Sequence, residues 1–460
     1  MATLVVLGGA ESGVGAAVLA KVKGFDVFLS DNGKIKEEYA DTLRKWDIPF
    51  EEGGHTESLI LNADEVVKSP GIPSTAPMVV KLTAKGTRIV SEIEFASRYD
   101  SAKKICITGS NGKTTTTTLI HYLLTNAGLN VGLGGNIGKS YAMQVATEKH
   151  DYYVLEISSF QLDNCYDFRP DIAIITNITP DHLDRYEFCM QNYVDSKMRI
   201  IQNQTPSDCF VFWADDQYAA AELAKRQADG NEVCAIPFTD EPAQGSFGCM
   251  RDGVMSINVP EGYTFRAEDG IQLNMPIAEL SLPGRHNVRN CIAAATATIL
   301  AGVEAEVVRE CLRDFPGVEH RLERVGDVRG VHYVNDSKAT NVDACQVALE
   351  AQTTPVVLIV GGTDKGNDYT TLYDLVKAKC RAIVYLGADN AKLHASFDQL
   401  AADCGIAIAD THSMEDCVRE CAALAHEGDT VLLSPCCASF DLFQNMGHRG
   451  RLFKECVRGL

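Results

Sequence analysis

Short apolar runs alternate with amphipathic segments along almost the whole chain. Runs rich in β-branched residues and bounded by glycine, proline or asparagine predict buried strands, and the stretches between them show the spacing of helices. The predicted strands lie at residues 3–7, 26–30, 65–68, 151–157, 171–176, 331–335, 356–360, 382–386, 406–409 and 430–434. Strands and helices in alternation predict an α/β fold with mostly parallel sheets.

The alternation falls into three stretches, at residues 1–95, 96–317 and 318–460. A length of 460 residues exceeds what one hydrophobic core supports, so several domains are expected. The first stretch reads as a Rossmann-type unit, and the last has strand–helix alternation of its own. Residues 249–282 lose the helical spacing and predict a small antiparallel insertion.

The amino-acid composition disfavours several classes of binding partner. The formal net charge of −20 disfavours nucleic acid as the principal partner, because binding to a phosphate backbone depends on lysine and arginine. No apolar run is long enough to span a bilayer, and the amino-terminal strand pattern does not resemble a signal peptide. Sixteen scattered cysteines without a Cys-x-x-Cys pair indicate reduced core thiols and a cytoplasmic location, and they disfavour zinc.

The clearest chemical signal is the stretch Ile105–Thr115. A β-branched run ends in a glycine-rich turn, and a helical pattern then opens at Lys113. Glycines let backbone N–H groups converge on an anion, the helix amino terminus favours negative charge, and a threonine hydroxyl suits Mg²⁺. The loop is not the standard P-loop, because Ile107 stands where that motif requires glycine. We expect a phosphate cradle here, against the alternative of a chance Gly-Lys-Thr in a surface loop.

The first predicted strand is followed by a second glycine-containing turn. Its spacing is Gly8-x-Ala10-x-x-Gly13, so the middle glycine of the dinucleotide fingerprint is replaced. A nicotinamide cofactor and another pyrophosphate-linked molecule therefore both remain open from this turn.

Polar residues follow several other predicted strands. Glu156 and His182 lie at strand ends in the central stretch, where ligands of open α/β sheets bind. With a threonine hydroxyl they suit a Mg²⁺ site, although Glu156 could be a helix cap and His182 a loop hydrogen bonder. Lys338, Lys365 and Ser439 could form a pocket for a small anion or be ordinary loop residues. Lys197, on a predicted helix, reads as a solvated surface lysine.

Together these segments resemble the Mur ligase family, ATP-dependent enzymes that add amino acids to the peptidoglycan precursor. The resemblance covers essentially the whole chain. It rests on Thr-Gly-Ser-Asn-Gly-Lys-Thr-Thr at 108–115, Glu-Ile-Ser-Ser-Phe-Gln-Leu at 156–162, Asp-His-Leu-Asp-Arg-Tyr at 181–186, Gly-Arg-His-Asn at 284–287, His-Arg at 320–321, Asn-Asp-Ser-Lys-Ala-Thr-Asn at 335–341, and Ser-Pro, Ala-Ser-Phe-Asp and Arg-Gly at 434–435, 438–441 and 449–450.

The resemblance implies three domains: a Rossmann-like amino-terminal domain for the UDP substrate, a central P-loop-type ATPase domain, and a Rossmann-like α/β carboxyl-terminal domain that closes down with the amino acid. The motif details are similar to the family member that adds D-glutamate to UDP-N-acetylmuramoyl-L-alanine, through an acyl phosphate. A cytoplasmic enzyme is implied, and we expect a monomer with ATP and two Mg²⁺ ions.

The resemblance also implies residue roles. The ATP positions are Gly109, Asn111, Gly112, Lys113, Thr114, Thr115, Asn287, Asn290, Arg321 and Asp336. The metal positions are Thr114, Glu156, His182 and a carbamylated Lys197, and catalysis falls to Lys113, His182 and Lys197. The UDP-substrate positions are Ser12, Asp31, Asn32, Ser69, Gly71 and Asn136; those for D-glutamate are Lys338, Thr340, Lys365, Ser439 and Met446.

The chain departs from the family pattern at a few positions. Asn32-Gly33 stands where Thr-Arg is frequent, Met446 replaces an aromatic residue, and Glu11 is unusual in a turn expected to face a pyrophosphate. The alternatives are another Mur ligase, a folylpolyglutamate synthase, an NAD-binding oxidoreductase or regulator, and a non-catalytic nucleotide-binding scaffold.

Overall fold

Three β-sheets, each covered by helices, organise the chain. The computed structural model describes residues 2–230, 232–263, 270–364 and 366–460. Two compact units are present, Met1–Phe315 and Pro316–Leu460. The first unit contains two of the sheets and the second unit contains the third.

The first sheet has five parallel strands in the order β3-β2-β1-β4-β5, which is the Rossmann-type arrangement expected from the pattern. Its strands are β1 (Thr3–Leu7), β2 (Asp26–Asp31), β3 (Phe50–Glu52), β4 (Glu65–Lys68) and β5 (Arg88–Val90). Its helices are α1 (Glu11–Val22), α2 (Glu37–Lys45), α3 (Glu57–Ile60), α4 (Pro77–Lys85) and α5 (Glu92–Ser97). The predicted strands 3–7 and 65–68 are confirmed to the residue.

The central sheet has nine strands in the order β14-β13-β12-β11-β10-β9-β6-β8-β7. They are β6 (Lys103–Thr108), β7 (Val131–Gly135), β8 (Tyr152–Glu156), β9 (Ile172–Ile175), β10 (Cys209–Trp213), β11 (Cys234–Phe238), β12 (Gly248–Arg251), β13 (Val254–Val259) and β14 (Ile271–Pro276). Strands β6 to β12 are parallel, whereas β13 and β14 pair antiparallel. The predicted antiparallel insertion is thus present, as an extension of one sheet edge.

Helices pack on both faces of the central sheet. They are α6 (Lys113–Asn126), α7 (Tyr141–Thr147), α8 (Ser159–Leu162), α9 (Met190–Met198), α10 (Gln217–Ala228), α11 (Arg285–Leu300) and α12 (Ala305–Asp314). Helix α11 is alanine-rich and almost entirely buried, since small side chains allow close contact with α6. The described helices include none with the length and apolar character needed to cross a membrane.

The third sheet has six strands in the order β15-β16-β20-β17-β18-β19, antiparallel only between β15 and β16. The strands are β15 (Glu323–Val328), β16 (Val331–Asn335), β17 (Val356–Gly361), β18 (Cys380–Leu386), β19 (Ala407–Thr411) and β20 (Thr430–Cys436). The helices are α13 (Val342–Glu350), α14 (Tyr373–Lys379), α15 (Ala391–Cys404), α16 (Met414–Leu424) and α17 (Met446–Arg458). Buried aliphatic clusters lie on both faces of this sheet.

Within the first unit, a carboxylate cluster joins α1 and α5 to the start of α7. Glu92 is fully buried, and its Oε1 accepts hydrogen bonds from Ser140 Oγ (2.5 Å) and Ala142 N (2.8 Å). Glu11 Oε1 accepts one from Ser140 N (2.9 Å). Carboxylates at a helix amino terminus satisfy its free N–H groups. The unusual Glu11 therefore has a structural partner in the central part of the unit.

Candidate functional site

The predicted phosphate loop lies between β6 and α6. Gly109 and Gly112 have φ angles of +142° and +87°, which L side chains rarely adopt. A Cβ at Gly109 would lie 2.0 Å from Thr176 Oγ1, and one at Gly112 would lie 2.4 Å from Asn290 Oδ1. Both glycines are therefore required by backbone conformation and by close approach.

The loop is fixed to the segment that follows β9. Thr176 Oγ1 and Asn177 Nδ2 both donate to Asn111 O, at 2.6 and 2.9 Å. Asn177 Oδ1 accepts from Asn111 N (2.9 Å), and Ser110 Oγ donates to Thr179 O (2.8 Å). These bonds hold the loop rigid, which favours a preorganised anion site.

Lys113 is the first residue of α6. Its ammonium donates to Gly109 O (2.8 Å) and Ser110 O (2.9 Å). The cation thus lies over the carbonyls of the glycine loop. Thr115, the third residue of α6, is buried, and its Oγ1 has no hydrogen-bond partner among the described residues.

Thr114 and Glu156 meet at this loop. Thr114 Oγ1 donates to Glu156 Oε2 at 2.6 Å, and Asn136 Nδ2 donates to Glu156 Oε1 at 2.7 Å. Glu156 ends β8 and is almost completely buried. A hydroxyl, a carboxylate and an amide oxygen are the hard oxygen donors that Mg²⁺ prefers, so these residues fit that ion.

Lys197 corrects the interpretation of a solvated surface lysine. The side chain is buried, donates to Gly109 O (2.7 Å) and lies 4.4 Å from the centre of the Tyr193 ring. Burial, followed by the repulsion of Lys113, holds the pKa of Lys197 well below its usual range. The residue pattern missed it because burial of α9 depends on its neighbours, whereas the family resemblance included it.

His182 lies on the loop after β9, in a left-handed conformation (φ +52°). Its side chain is 40% exposed, its Nε2 lies 3.6 Å from Asp181 Oδ2, and its ring contacts Phe160 edge-on at 5.2 Å. It therefore follows a strand of the same sheet as Glu156, as the sequence predicted.

Two predicted ATP residues lie on α11. Asn290 Oδ1 accepts from Thr116 Oγ1 (3.4 Å), and Asn290 Nδ2 donates to Asn287 Oδ1 (3.2 Å). Asn287 Nδ2 in turn donates to Pro283 O (2.7 Å). Both amides are buried, and Asn290 lies against Gly112 of the glycine loop, while the contact of either residue with ATP stays a prediction.

A separate cavity of about 560 Å³ lies at the carboxyl ends of β1, β2 and β4. Four of the predicted UDP-substrate residues line it: Asp31, Asn32, Ser69 and Gly71. Ser69 Oγ is buried without a partner among the described residues, so the cavity holds an unsatisfied polar group. Ser12 lies on α1 outside this lining, and Asn136 lies with Glu156.

Asp31 occupies the position of the acidic residue in a dinucleotide-binding unit. Its Oδ2 accepts from Gly9 N at 2.6 Å and its Oδ1 accepts from Gly33 N at 2.7 Å. In an NAD site this carboxylate would accept from the ribose hydroxyls. Here both oxygens already bind the backbone of the neighbouring loops, which weakens the nicotinamide alternative.

In the second unit, Asp336 follows β16 and is buried. It accepts from Ser434 Oγ (3.0 Å) and Leu322 N (3.2 Å), and burial raises its pKa to about 6. Arg321 counteracts that shift by its charge, and its buried Nε has no hydrogen-bond partner among the described residues. These two predicted nucleotide residues are therefore neighbours.

The described residues among those predicted to bind D-glutamate lie on loops and at a helix end of the second unit, and the structure shows the contacts of the three loop residues. Lys338 N donates to His320 O (3.0 Å), and Thr340 N donates to Lys338 O (3.0 Å). Ser439 is buried, and its carbonyl accepts from Phe443 N (2.9 Å). Lys365 lies outside the described residues, so the predicted grouping of Lys338, Lys365 and Ser439 stays a prediction.

Arg449 is a structural residue whose role the sequence patterns did not indicate. It is buried on α17, where its Nε donates to Ser337 Oγ (3.0 Å), its Nη2 to Ser337 O (2.8 Å) and its Nη1 to Cys437 O (3.2 Å). Ser337 Oγ also donates to Met446 O (2.7 Å). One guanidinium therefore fixes the loops after β16 and β20 and the start of α17. The sequence marked Arg449 only through the Arg-Gly pair at 449–450, which carries the family resemblance but indicates no bonding role.

Comparisons with known proteins agree with this geometry. Residues 3–78 match the family described as MurD N-terminal domain, residues 107–298 match Mur ligase middle domain, and residues 320–437 match Mur ligase, glutamate ligase domain. A UDP-N-acetylmuramoylalanine–D-glutamate ligase of Bacteroides thetaiotaomicron is 56% identical, and the match covers 100% of both chains. The protein of the same description from Porphyromonas gingivalis is 49% identical, with 99% of this chain and 98% of that one covered.

Solved structures show the same fold at lower identity. The UDP-N-acetylmuramate-alanine ligase MurC of Thermotoga maritima superposes with a TM-score of 0.61 at 19% identity, covering 100% of this chain and 99% of that one. A pseudomurein peptide ligase type C of Methanothermus fervidus gives a TM-score of 0.57 at 20% identity, with 100% of both chains covered. The three matching family models and the full-length relatives lead to one conclusion: the chain belongs to the Mur ligase family.

Proposed function

We propose that this protein is an ATP-dependent ligase that joins D-glutamate to UDP-N-acetylmuramoyl-L-alanine. The observation that carries the proposal is the hydrogen bond between Thr114 and Glu156 beside the glycine loop. It brings the residues predicted to bind Mg²⁺ next to the loop predicted to bind the phosphates of ATP. The choice of substrates is supported by relatives whose names specify them, at up to 56% identity over the whole chain.

The chemistry requires activation of a carboxylate, which is a poor electrophile. The γ-phosphoryl group moves from ATP to a carboxylate oxygen, so the bond to ADP breaks and an acyl phosphate forms. The amine of D-glutamate attacks the carbonyl carbon of the acyl phosphate and a C–N bond forms. The nitrogen passes a proton to solvent water, and the tetrahedral intermediate expels phosphate as its C–O bond breaks. The loop amides and Lys113 would bind and orient the phosphate groups, and they would neutralise their charge.

Magnesium would contribute charge neutralisation on the phosphate oxygens. Thr114 and Glu156 would hold one ion at the loop, and His182 and Lys197 would support a second. Asn287, Asn290, Arg321 and Asp336 complete the proposed ATP contacts. These assignments are supported by the oxygen donors at Glu156 and by the position of α11 beside the loop.

We also propose that Lys197 is carbamylated. A neutral amine attacks the carbon of CO₂, an N–C bond forms, one C=O electron pair moves to oxygen, and the amine loses a proton to water. The lowered pKa of Lys197 favours the neutral amine that this step needs. Activity should therefore decline in CO₂-free buffer and return with bicarbonate, and the intact protein should gain the mass of one CO₂. A bicarbonate-independent enzyme of unmodified mass would contradict carbamylation.

The remaining assignments concern the substrates. The UDP group would occupy the cavity lined by Asp31, Asn32, Ser69 and Gly71. Ser12 would contribute to the binding of the uridine part, and Asn136 would lie near the muramoyl group. D-Glutamate would bind to Lys338, Thr340, Lys365, Ser439 and Met446 in the second unit. We further propose a monomer that acts in the cytoplasm.

The decisive experiment measures ADP release with UDP-N-acetylmuramoyl-L-alanine and a panel of amino acids. We expect turnover with D-glutamate and background rates with L-glutamate, L-alanine, L-lysine and diaminopimelate. Omission of the UDP substrate is the matched control, since it reports ATP hydrolysis alone. Selectivity for another amino acid, or for a folate acceptor, would overturn the proposal.

A further inference from the structure

His55 is a residue of the amino-terminal cavity to which neither the motifs nor the comparisons give a role. It follows β3 and lines the same cavity of about 560 Å³ as Asp31, Asn32 and Ser69. The ring is half-buried, with Nδ1 2.7 Å from Ser30 Oγ. The other ring nitrogen, Nε2, has no hydrogen-bond partner among the described residues.

A hydrogen-bond chain decides which nitrogen of His55 carries the proton. Ser30 Oγ donates to Glu51 Oε1 at 2.6 Å. The Glu51 carboxylate also accepts from Thr56 N (2.7 Å) and Thr56 Oγ1 (2.5 Å). Burial alone would raise the pKa of Glu51, but these donors from Ser30 and Thr56 lower it below its usual value. The carboxylate is therefore ionised and can only accept.

The single hydroxyl proton of Ser30 is committed to Glu51. Ser30 Oγ must then accept at its contact with His55, so Nδ1 carries the ring proton. In the neutral imidazole, Nε2 is left with a free lone pair. The chain Glu51–Ser30–His55 thus presents a hydrogen-bond acceptor at the wall of the cavity.

The pyrimidine edge that matches this wall is that of uracil. Uracil has a donor, N3–H, between two carbonyl acceptors, whereas N3 of cytosine is itself an acceptor. The Asn32 carboxamide lines the same cavity and can donate to a flanking carbonyl. Asp31 is less available, because each of its oxygens already binds a backbone N–H of Gly9 or Gly33.

We propose that His55 Nε2 accepts the N3–H of the uracil base and thereby selects uridine over cytidine nucleotides, with Ser30 as a positioning residue. This inference rests on the proposed binding of the UDP group in this cavity. It adds a specificity-determining residue to the cavity that is also lined by Asn32, where Asn32-Gly33 departs from the family pattern. A site that hydrogen-bonds one partner rejects an analogue that leaves its polar groups unpaired.

The test is the binding of UDP and CDP to the full-length protein by isothermal titration calorimetry. We expect the wild type to bind UDP at least about tenfold more tightly than CDP, and His55→Leu to lose about tenfold in UDP affinity. The ratio of UDP affinity to CDP affinity in that variant should approach one, because a leucine side chain cannot distinguish the hydrogen-bonding edge of uracil from that of cytosine. His394→Leu is the matched control, since the ring nitrogens of His394 bind the carboxylates of Asp398 and Asp410 in the second unit.

A second variant addresses the positioning role. Ser30→Ala removes the acceptor for Nδ1–H, so the ring loses its fixed tautomer and the UDP/CDP ratio should fall by severalfold. If Ser30→Ala unfolds at the same temperature as the wild type, a lower affinity ratio cannot be caused by general destabilisation. Ser30→Ala then tests the role of His55 even if His55→Leu misfolds.

The possible results separate the role of His55 from the proposed ligase function. A wild type that prefers UDP and a His55→Leu variant that keeps the full preference would overturn the inference and leave the proposed function intact. The inference would also be overturned by an undiminished ratio in Ser30→Ala. A wild type that binds no UDP would overturn both the proposed function and the role of His55.

Discussion

Thr114 Oγ1 lies 2.6 Å from Glu156 Oε2, although the two residues belong to different strand–helix segments. Thr114 is the second residue of α6 and Glu156 ends β8, and the parallel pairing of β6 with β8 brings these ends to one edge of the sheet. The contact joins a phosphate loop to a buried carboxylate. It is the structural basis for the proposed Mg²⁺ site.

Glu156→Gln tests the metal assignment. The substitution preserves size but removes the negative charge, so we expect at least about a hundredfold loss of turnover and a higher Mg²⁺ requirement. ADP release measured over a Mg²⁺ titration checks this. Thr114→Ser, which keeps the hydroxyl, should remain close to wild type. An unchanged Mg²⁺ dependence in Glu156→Gln would remove the carboxylate from the metal site.

Lys113→Ala tests the phosphate loop. Loss of the cation should leave less than about 1% of turnover, because charge stabilisation at the transferring phosphoryl group disappears. Lys225→Ala is a suitable control, since Lys225 is an exposed residue of α10 that pairs with Glu222. Steady-state ADP release compares the two variants, and near-wild-type turnover in Lys113→Ala would contradict the assignment.

Glu92 predicts a pH-dependent stability. Burial raises the pKa of Glu92 to about 7, against its usual value of 4.5. As the pH rises from 4.5, the unfolded carboxyl ionises first, so stability falls until the folded carboxyl ionises near pH 7 and stays reduced above it. The shift corresponds to roughly 3 kcal/mol.

Glu92→Gln isolates this effect. Both hydrogen bonds go to Oε1 while Oε2 has no partner among the described residues, so glutamine preserves the bonds and carries no titrating proton. Urea unfolding at pH 5.5 and pH 8 should show a smaller loss of stability for the variant than for the wild type. Equal losses in both proteins would assign the pH dependence to other groups.

Arg449 predicts a site of high structural sensitivity in the second unit. In Arg449→Lys, the lysine cannot reproduce the three hydrogen bonds that the Arg449 guanidinium donates to Ser337 and Cys437. Each buried acceptor left without its donor lowers the free energy of unfolding by about 1–3 kcal/mol. We expect the unfolding midpoint of this unit to drop clearly in a urea titration. Arg458→Lys, at an exposed position of the same helix, should be neutral. A silent Arg449→Lys would show that the three contacts are not needed for stability.

Much of the site was predictable because it is local. The glycine loop, the strand before it and the helix after it occupy one continuous segment. Asp31 at the tip of β2 and Asp336 directly after β16 are each placed by their own strand. Strand-end positions in parallel sheets converge by geometry, so Glu156 and His182 could be predicted on one sheet edge. Only the family resemblance pointed to Lys197 as a site residue. Its residue type and its position on a helix predicted an exposed surface lysine, whereas the side chain is buried.

The sequence by itself determined the α/β class and the strand and helix positions near the loops, and it predicted phosphate binding at the glycine loop, because these depend on spacing within short segments. Only the tertiary structure decided which side chains lose contact with water and which distant groups meet. Burial gives Lys197 its lowered pKa, Glu92 its raised pKa and Arg449 its bonding role. The acceptor on His55 likewise arises from a contact with Ser30, on a strand that comes earlier in the chain. Such environments depend on long-range packing, which no local pattern specifies.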